Sequence, residues 1–174
     1  MKKYNVAILG ATGAVGQEML KILEERKFPV NDLKLLASKR SAGITVKFGV
    51  KEYAIEEASE SSFENIDVVL CAAENDISRK LSPAAVKAGA VVIDNSSEFR
   101  LNDDVPLVVP EVNGEDVKKH RGIIANPNCS TTIALTAINE LNKYAGIKRM
   151  IVTTYQAVSG AGINGINELQ EQIK

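Results

Sequence analysis

Tyr4-Asn5-Val6-Ala7-Ile8-Leu9-Gly10-Ala11-Thr12-Gly13-Ala14-Val15-Gly16 is the stretch on which the fold turns. Its first part is a short, mostly apolar run ending at a glycine, the pattern of a buried parallel strand. The glycines follow at GxxGxxG spacing and a helix opens behind them. Apolar Val15, Met19, Ile22 and Leu23 recur there at i, i+4, i+7 and i+8, and Pro29 marks a stop beyond. Small residues in such a turn let the backbone approach a pyrophosphate, whose charge meets the unsatisfied N–H groups of the helix start. Gly10, Thr12, Gly13, Ala14 and Val15 are therefore the candidate cofactor-binding residues. A plain strand-to-helix turn has the same spacing, but its place directly after the first strand favours the cradle.

Outward from this unit the alternation continues. Residues 33–37 read as a second strand, 67–72 and 90–93 as later buried ones, and Ile77, Leu81, Ala84, Ala85 and Ala88 trace a helical face ending at Gly89. Strands alternating with amphipathic helices call for a parallel sheet covered on both faces: a doubly wound, mostly parallel, Rossmann-type α/β domain. Residues 43–63 suggest a small excursion and a loop. A short strand at 122–125, a helix at about 129–143 and a strand at 150–157 follow. Ile163, Ile166, Gln170 and Ile173 keep a helical period with no closing Gly, Asn or Pro before Lys174, as in a chain cut within a second unit.

The end of the second strand bears on the cofactor. Dinucleotide folds that favour NAD usually place an acid there for the ribose 2′-hydroxyl, whereas the 2′-phosphate of NADP wants a basic group. This chain has Ser38-Lys39-Arg40-Ser41. The hydroxyls of Ser38 and Ser41 and the Arg40 guanidinium suit a phosphate, so NADP is expected, although a solvated turn would carry the same residues.

Composition excludes several classes. The chain has 174 residues, 45% hydrophobic and 25% charged, with a formal net charge of -1. That is ordinary for a globular protein and leaves no basic footprint for nucleic acid. Gly10, Thr12 and Gly13 interrupt the apolar N-terminal run before a signal peptide could form, and no stretch reads as a membrane span. The two cysteines, Cys71 and Cys129, lie far apart and outside any metal-ligand spacing, which predicts free thiols, no metal site and a cytoplasmic setting.

Asn126-Pro127-Asn128-Cys129-Ser130-Thr131-Thr132 puts one thiol at the start of an amphipathic helix whose apolar positions are Ile133, Ala137, Ile138 and Leu141. The dipole and free N–H groups of a helix N-terminus stabilise a thiolate, making a nucleophile available near neutral pH. Cys71, inside Val68-Val69-Leu70-Cys71-Ala72, reads instead as a small buried hydrophobe.

These motifs together with Ala37-Ser38-Lys39-Arg40-Ser41-Ala42-Gly43, Asp94-Asn95-Ser96-Ser97-Glu98-Phe99-Arg100, residues 106–113 and residues 156–162 resemble the aspartate-semialdehyde dehydrogenase family over essentially the whole chain. The resemblance implies reversible conversion of L-aspartate 4-semialdehyde, phosphate and NADP to 4-phospho-L-aspartate and NADPH, toward lysine by way of diaminopimelate, threonine and methionine. It implies Cys129 as the catalytic nucleophile, passing through a thiohemiacetal and an acyl-thioester. It further implies Arg100 as the phosphate-binding arginine, Gln156 as the substrate-orienting glutamine, Asn128 as support for substrate or oxyanion, and Ser159 and Gly160 as a loop near the nicotinamide.

The family's acid/base histidine and its carboxylate-binding arginine lie beyond position 174. His120 sits in the charged run Val117-Lys118-Lys119-His120-Arg121 and reads as a surface residue. The resemblance therefore implies residues 1–128 as an NADP-binding domain and 129–174 as the beginning of a truncated α+β substrate and dimerisation domain, inactive alone and with apolar surface uncovered. Full-length members are expected to be homodimers or homotetramers acting on a small molecule and phosphate, with no nucleic-acid or membrane partner. N-acetyl-gamma-glutamyl-phosphate reductase shares the glycine turn, the cysteine and the thioester logic; Asn-Pro-Asn-Cys-Ser-Thr and Ser-Lys-Arg-Ser-Ala-Gly favour the semialdehyde enzyme. A non-catalytic NADP-binding module is the alternative of another class.

Overall fold

A computed structural model describes residues 2–174, apart from the side chain of Ile163. Strand β1 (Tyr4–Leu9) leads into helix α1 (Ala14–Glu25), and β2 (Val30–Ala37) follows. The 43–63 interval is more regular than its sequence suggests. It holds a hairpin of β3 (Thr45–Phe48) and β4 (Lys51–Glu57), then a 3-10 turn over Glu60–Phe63 closed by reciprocal bonds between Ser59 and Ser62. Next come β5 (Val68–Cys71), α2 (Asn75–Lys87), β6 (Val91–Asp94), the one-turn helix α3 (Pro110–Asn113), β7 (Ile123–Ala125), α4 (Cys129–Ala145) and α5 (Gly162–Gln172).

The seven strands form one sheet in the order β3-β4-β2-β1-β5-β6-β7, parallel except for the β3–β4 pair. The doubly wound parallel architecture is thus observed. From β1 the chain first moves outward to β2, then returns to place β5 on the other side of β1. The β1–β5 boundary is consequently the topological switch point, and the crevice outside its carboxyl ends is where such sheets bind ligands. One layer of the core packs Ala7, Leu9, Phe63, Val69, Leu81 and Ala85; the other packs Val6, Ile8, Leu20, Leu23, Leu35 and Ile55.

Two expectations are corrected. The inward face of α1 is Gly16, Leu20 and Leu23, while Val15 and Ile22 are exposed. The cause is steric: a Cβ on Gly16 would stand 2.3 Å from the Gly10 carbonyl oxygen, so the helix lies closest to the turn at Gly16 and its phase follows from there. Residues 150–157 form no strand. The outer edge of β7 is taken by residues 106–108, with Val108 N–H donating to the Ala125 carbonyl at 3.0 Å and Ala125 N–H to the Pro106 carbonyl at 2.9 Å. An apolar run without a neighbour to bond cannot become a strand, and Ile151 and Tyr155 stand 80% and 98% exposed.

The last two helices do form at the expected places. On α4, however, Ile133 and Leu141 are largely exposed and Ala137 is exposed; of the apolar stripe read from its sequence only Ile138 is half-buried. On α5, the Ile163 side chain lies outside the described residues.

Candidate active site

Gly10 closes β1 at φ +88, a conformation that disfavours any side chain, and its missing Cβ would lie 2.7 Å from the Ala72 carbonyl oxygen after β5. Two N–H groups, from Gly10 and Ala11, bond the Leu36 carbonyl of β2 at 2.8 and 3.0 Å, seating the turn on the switch point. Gly13 is the N-cap of α1 and offers no side-chain cap. The first-turn N–H groups at Ala14 and Val15 thus have no intrahelical acceptor, and both residues are exposed.

At the neighbouring carboxyl end, of β2, a 3-10 turn over Lys39–Ser41 begins at Ser38. Ser38 and Arg40 are exposed and Ser41 is half-buried; among the described residues no carboxylate pairs with Lys39 or Arg40. The structure therefore brings the glycine turn and this cationic turn to adjacent strand ends. Free N–H groups at the helix start and an unpaired guanidinium suit the anionic groups of a dinucleotide.

On the other side of the switch point the ends of β6 and β7 carry the second cluster. Asp94 ends β6 fully buried, and its carboxylate accepts from the Ser96 N–H and hydroxyl at 3.0 and 2.7 Å. Beyond it the loop is fastened to α2 by Asn75, bonded to Ser97, and by Arg79, whose Nε and Nη2 pair with both Glu98 oxygens at 2.6 and 2.7 Å. That pairing raises the Arg79 pKa and holds the Glu98 carboxyl below its usual range. The loop delivers Arg100, whose Nε donates to the Asn126 carbonyl and Nη2 to the Asn95 carbonyl, each at 2.9 Å. Asn126 directly follows β7, so Arg100 grips the segment that leads to the cysteine.

Asn128 caps α4, its Oδ1 accepting from the N–H groups of Ser130 and Thr131 at 3.0 and 3.4 Å. Cys129 is the first residue of that helix and is exposed. The Gln156 amide donates to the Ser130 hydroxyl, 26 positions away, which itself lies 4.0 Å from the Cys129 sulfur, so Gln156 is brought beside the thiol. Arg100, Asn128, Cys129 and Gln156 are thereby gathered at one edge of the sheet. Ser159 and Gly160 lie in a 3-10 turn over Val158–Ala161 whose hydrogen bonds are local, and among the described residues none ties them to the glycine turn.

Cys71 is the opposite case. Buried at the end of β5 beside Asp94, its thiol is pushed up to about 11, chiefly by burial, with the Asp94 charge adding to it. His120 precedes β7 at its amino end, across the sheet from Cys129, and its Nδ1 accepts the Gly122 N–H at 3.0 Å. Among the described residues no cluster of His, Cys, Asp and Glu could hold a metal. No described helix is long and apolar enough to cross a membrane.

Sequence reading gave no individual role to Asn95, Asn126 or Asp94. The signal present was a carboxylate closing the apolar strand Val91-Val92-Ile93-Asp94, since buried acids are rare unless bonded.

A model of the semialdehyde dehydrogenase NAD-binding domain matches residues 5–120, and one of the semialdehyde dehydrogenase dimerisation domain matches residues 138–174. The chain belongs to the semialdehyde dehydrogenase family. Within that family it is 53% identical over 168 residues to the aspartate-semialdehyde dehydrogenase of Bacillus subtilis, covering 97% of this chain and 49% of that one. To the Aquifex aeolicus enzyme of the same name it is 54% identical over 174 residues, covering 98% and 51%. Among solved structures, aspartate semialdehyde dehydrogenase II of Vibrio cholerae complexed with ASA superposes with TM-score 0.95 at 49% identity, over 99% of this chain and 52% of that one. The Candida albicans enzyme with NADP superposes at 0.69 and 28% identity, over 83% and 48%. This semialdehyde dehydrogenase chain spans about half the length of the curated relatives it matches.

Proposed function

We infer that this chain carries the cofactor site and the nucleophile of an NADP-dependent, phosphorylating aspartate-semialdehyde dehydrogenase. The observation that carries the reading is an exposed cysteine at a capped helix start, with Arg100 seated on the strand end that leads to it. Residues 1–128 form the cofactor-binding part and 129–174 the beginning of the catalytic and substrate part.

The fit to the dinucleotide rests on the cradle already described. Gly10, Thr12, Gly13, Ala14 and Val15 receive the pyrophosphate, Ser38, Arg40 and Ser41 take the 2′-phosphate, and Ser159 and Gly160 border the nicotinamide end. Bound NADP supplies the hydride acceptor.

The chain's own residues do the rest. The Cys129 thiolate adds to the C4 aldehyde carbon of L-aspartate 4-semialdehyde, forming an S–C bond and an oxyanion. Asn128 spends its Oδ1 on the helix cap and keeps its Nδ2 for that oxygen or for substrate, while Gln156 orients the substrate from the far side of Ser130. Loss of hydride from C4 leaves an acyl-thioester on Cys129. Arg100 holds inorganic phosphate, whose oxygen attacks the thioester carbonyl; the S–C bond breaks, 4-phospho-L-aspartate leaves, and Cys129 returns as thiolate. Phosphate and L-aspartate 4-semialdehyde are thus the partners, and the whole enzyme acts as a cytoplasmic homodimer or homotetramer.

The test is a covalent label read in a single turnover rather than a steady-state rate, because the label reports the Cys129 assignment directly. Incubated with L-aspartate 4-semialdehyde and NADP, the protein is expected to gain one aspartyl group on Cys129, discharged by phosphate and absent in Cys129→Ala. A label that persists in Cys129→Ala, or none on wild type, rejects the assignment.

A further inference from the structure

An arginine has five N–H donors. In Arg100 two are committed, and the carbonyls they meet belong to Asn95 and Asn126, the residues that immediately follow β6 and β7. The guanidinium therefore bridges the ends of two adjacent strands. The side chains of the same two residues close the bridge beneath it, Asn126 Nδ2 donating to Asn95 Oδ1 at 2.7 Å. Their backbones are anchored in turn: Asn126 N–H bonds the Asp94 carbonyl at 2.8 Å and Asn95 N–H the Cys71 carbonyl at 3.0 Å. The remaining three donors of Arg100 have no partner among the described residues.

We propose that the Asn95–Asn126 amide pair positions Arg100, presenting its free donors to an anion at Cys129. This rests on the reading of Arg100 as the anion-binding residue. Cys129 stands three positions after Asn126, at most about 11 Å of extended chain, so the seat of the guanidinium and the thiol belong to one short segment. An arginine already held at its Nε edge loses less side-chain freedom on binding than one drawn from solvent. Without the amide bridge, the two carbonyls are held only by their own strands and not to each other, and the hold on Arg100 loosens. Asn95 and Asn126 touch no substrate and are positioning residues.

The test compares alkylation of Cys129 by iodoacetate and by iodoacetamide in the intact chain. In both reactions the thiolate forms an S–C bond and displaces iodide, so the ratio of the two rates cancels thiolate content and reports local positive charge. Arg100→Ala is expected to lower the iodoacetate-to-iodoacetamide ratio roughly three- to tenfold at low salt. Asn95→Ala and Asn126→Ala should each lower it about two- to threefold, and the double variant no further, because both break one contact. Buried Cys71 serves as the unfolding monitor in the same digest.

A ratio unchanged in Asn95→Ala and Asn126→Ala, beside a lowered one in Arg100→Ala, overturns the positioning role and leaves the anion role standing. No change in Arg100→Ala removes the anion reading itself. Strictly additive asparagine effects, or Cys71 alkylation rising with Cys129 in either variant, mean that the amides support the fold at large, and likewise overturn the proposal.

Discussion

The three glycines of the cofactor turn are chemically identical, yet substitution at two of them should separate stability from binding. A methyl group on Gly16 meets the Gly10 carbonyl oxygen at 2.3 Å and the Ala11 Cα at 2.9 Å, both backbone atoms that no rotamer change can relieve. Over-packing of this kind costs about 1–3 kcal/mol, and contacts with backbone place it toward the upper end. Alanine's better helix propensity returns about 1 kcal/mol, for a net loss of about 2 kcal/mol. In a domain of this size that lowers Tm by roughly 4–8 °C. A methyl on Gly13 meets only the Gly10 oxygen, at 3.4 Å, and the backbone there is already extended at φ -73. Its fold should stay within about 1 kcal/mol of wild type, the poorer cap being offset by a stiffer unfolded chain. The added methyl does stand among the N–H groups of the helix start. Gly13→Ala is therefore expected to weaken NADPH binding at least tenfold, about 1.4 kcal/mol, while melting normally. Thermal denaturation and a fluorescence titration with NADPH measure the two quantities. A Gly16→Ala protein that melts like wild type, or a Gly13→Ala protein that binds like it, would show that helix and ligand do not approach this turn as described.

Replacing Arg40 with Ala should weaken NADPH binding by about tenfold or more while changing NADH binding little, since a guanidinium–phosphate contact is a charge-assisted hydrogen bond; equal losses for both nucleotides would count against the 2′-phosphate assignment. Cys71 gives a pH dependence. Its thiol is raised from 9.0 to about 11 in the folded state, so its contribution to stability is fully present below pH 9 and is lost as pH rises through about 11. The loss amounts to about 3 kcal/mol at most. Urea unfolding at pH 8 and pH 11 should therefore fall less steeply for Cys71→Ala than for wild type, and parallel curves would contradict the burial argument. Finally, Glu98→Gln removes the charge opposite Arg79 and should raise the phosphate concentration needed to discharge the Cys129 thioester, read by mass spectrometry, with Tm changed little; unaltered discharge would show that this clamp does not bear on Arg100.

What could be read from the sequence was local. Tyr4 to Gly16 carries strand, turn and helix within one stretch of chain, and the succession of later strands and helices along the chain follows from the alternation of periods. The thiol of Cys129 could likewise be placed at a helix start, because apolar Ile133, Ala137, Ile138 and Leu141 recur behind it within one stretch of chain; the cap that Asn128 supplies to Ser130 and Thr131 came from the structure. The cationic turn from Ser38 to Ser41 was legible for the same reason.

Tertiary structure decided whatever depends on who lies alongside. Val15 and Ile22 fit a helical stripe as well as Leu20 and Leu23 do; only the collision that Gly16 avoids with Gly10 settles which side turns inward. Residues 150–157 have the composition of a strand, but no strand forms, and none of the backbone bonds found among the described residues pairs them with the sheet, whose β7 edge is lined by residues 106–108. The resemblance implied Arg100 as the phosphate-binding arginine, but its seat could not be read, for Asn95 and Asn126 stand 31 residues apart. Periodicity records which face of an element is apolar, since that is a property of neighbours along the chain. Hydrogen-bond partners across a sheet edge are chosen by distance in space, and no local pattern encodes it.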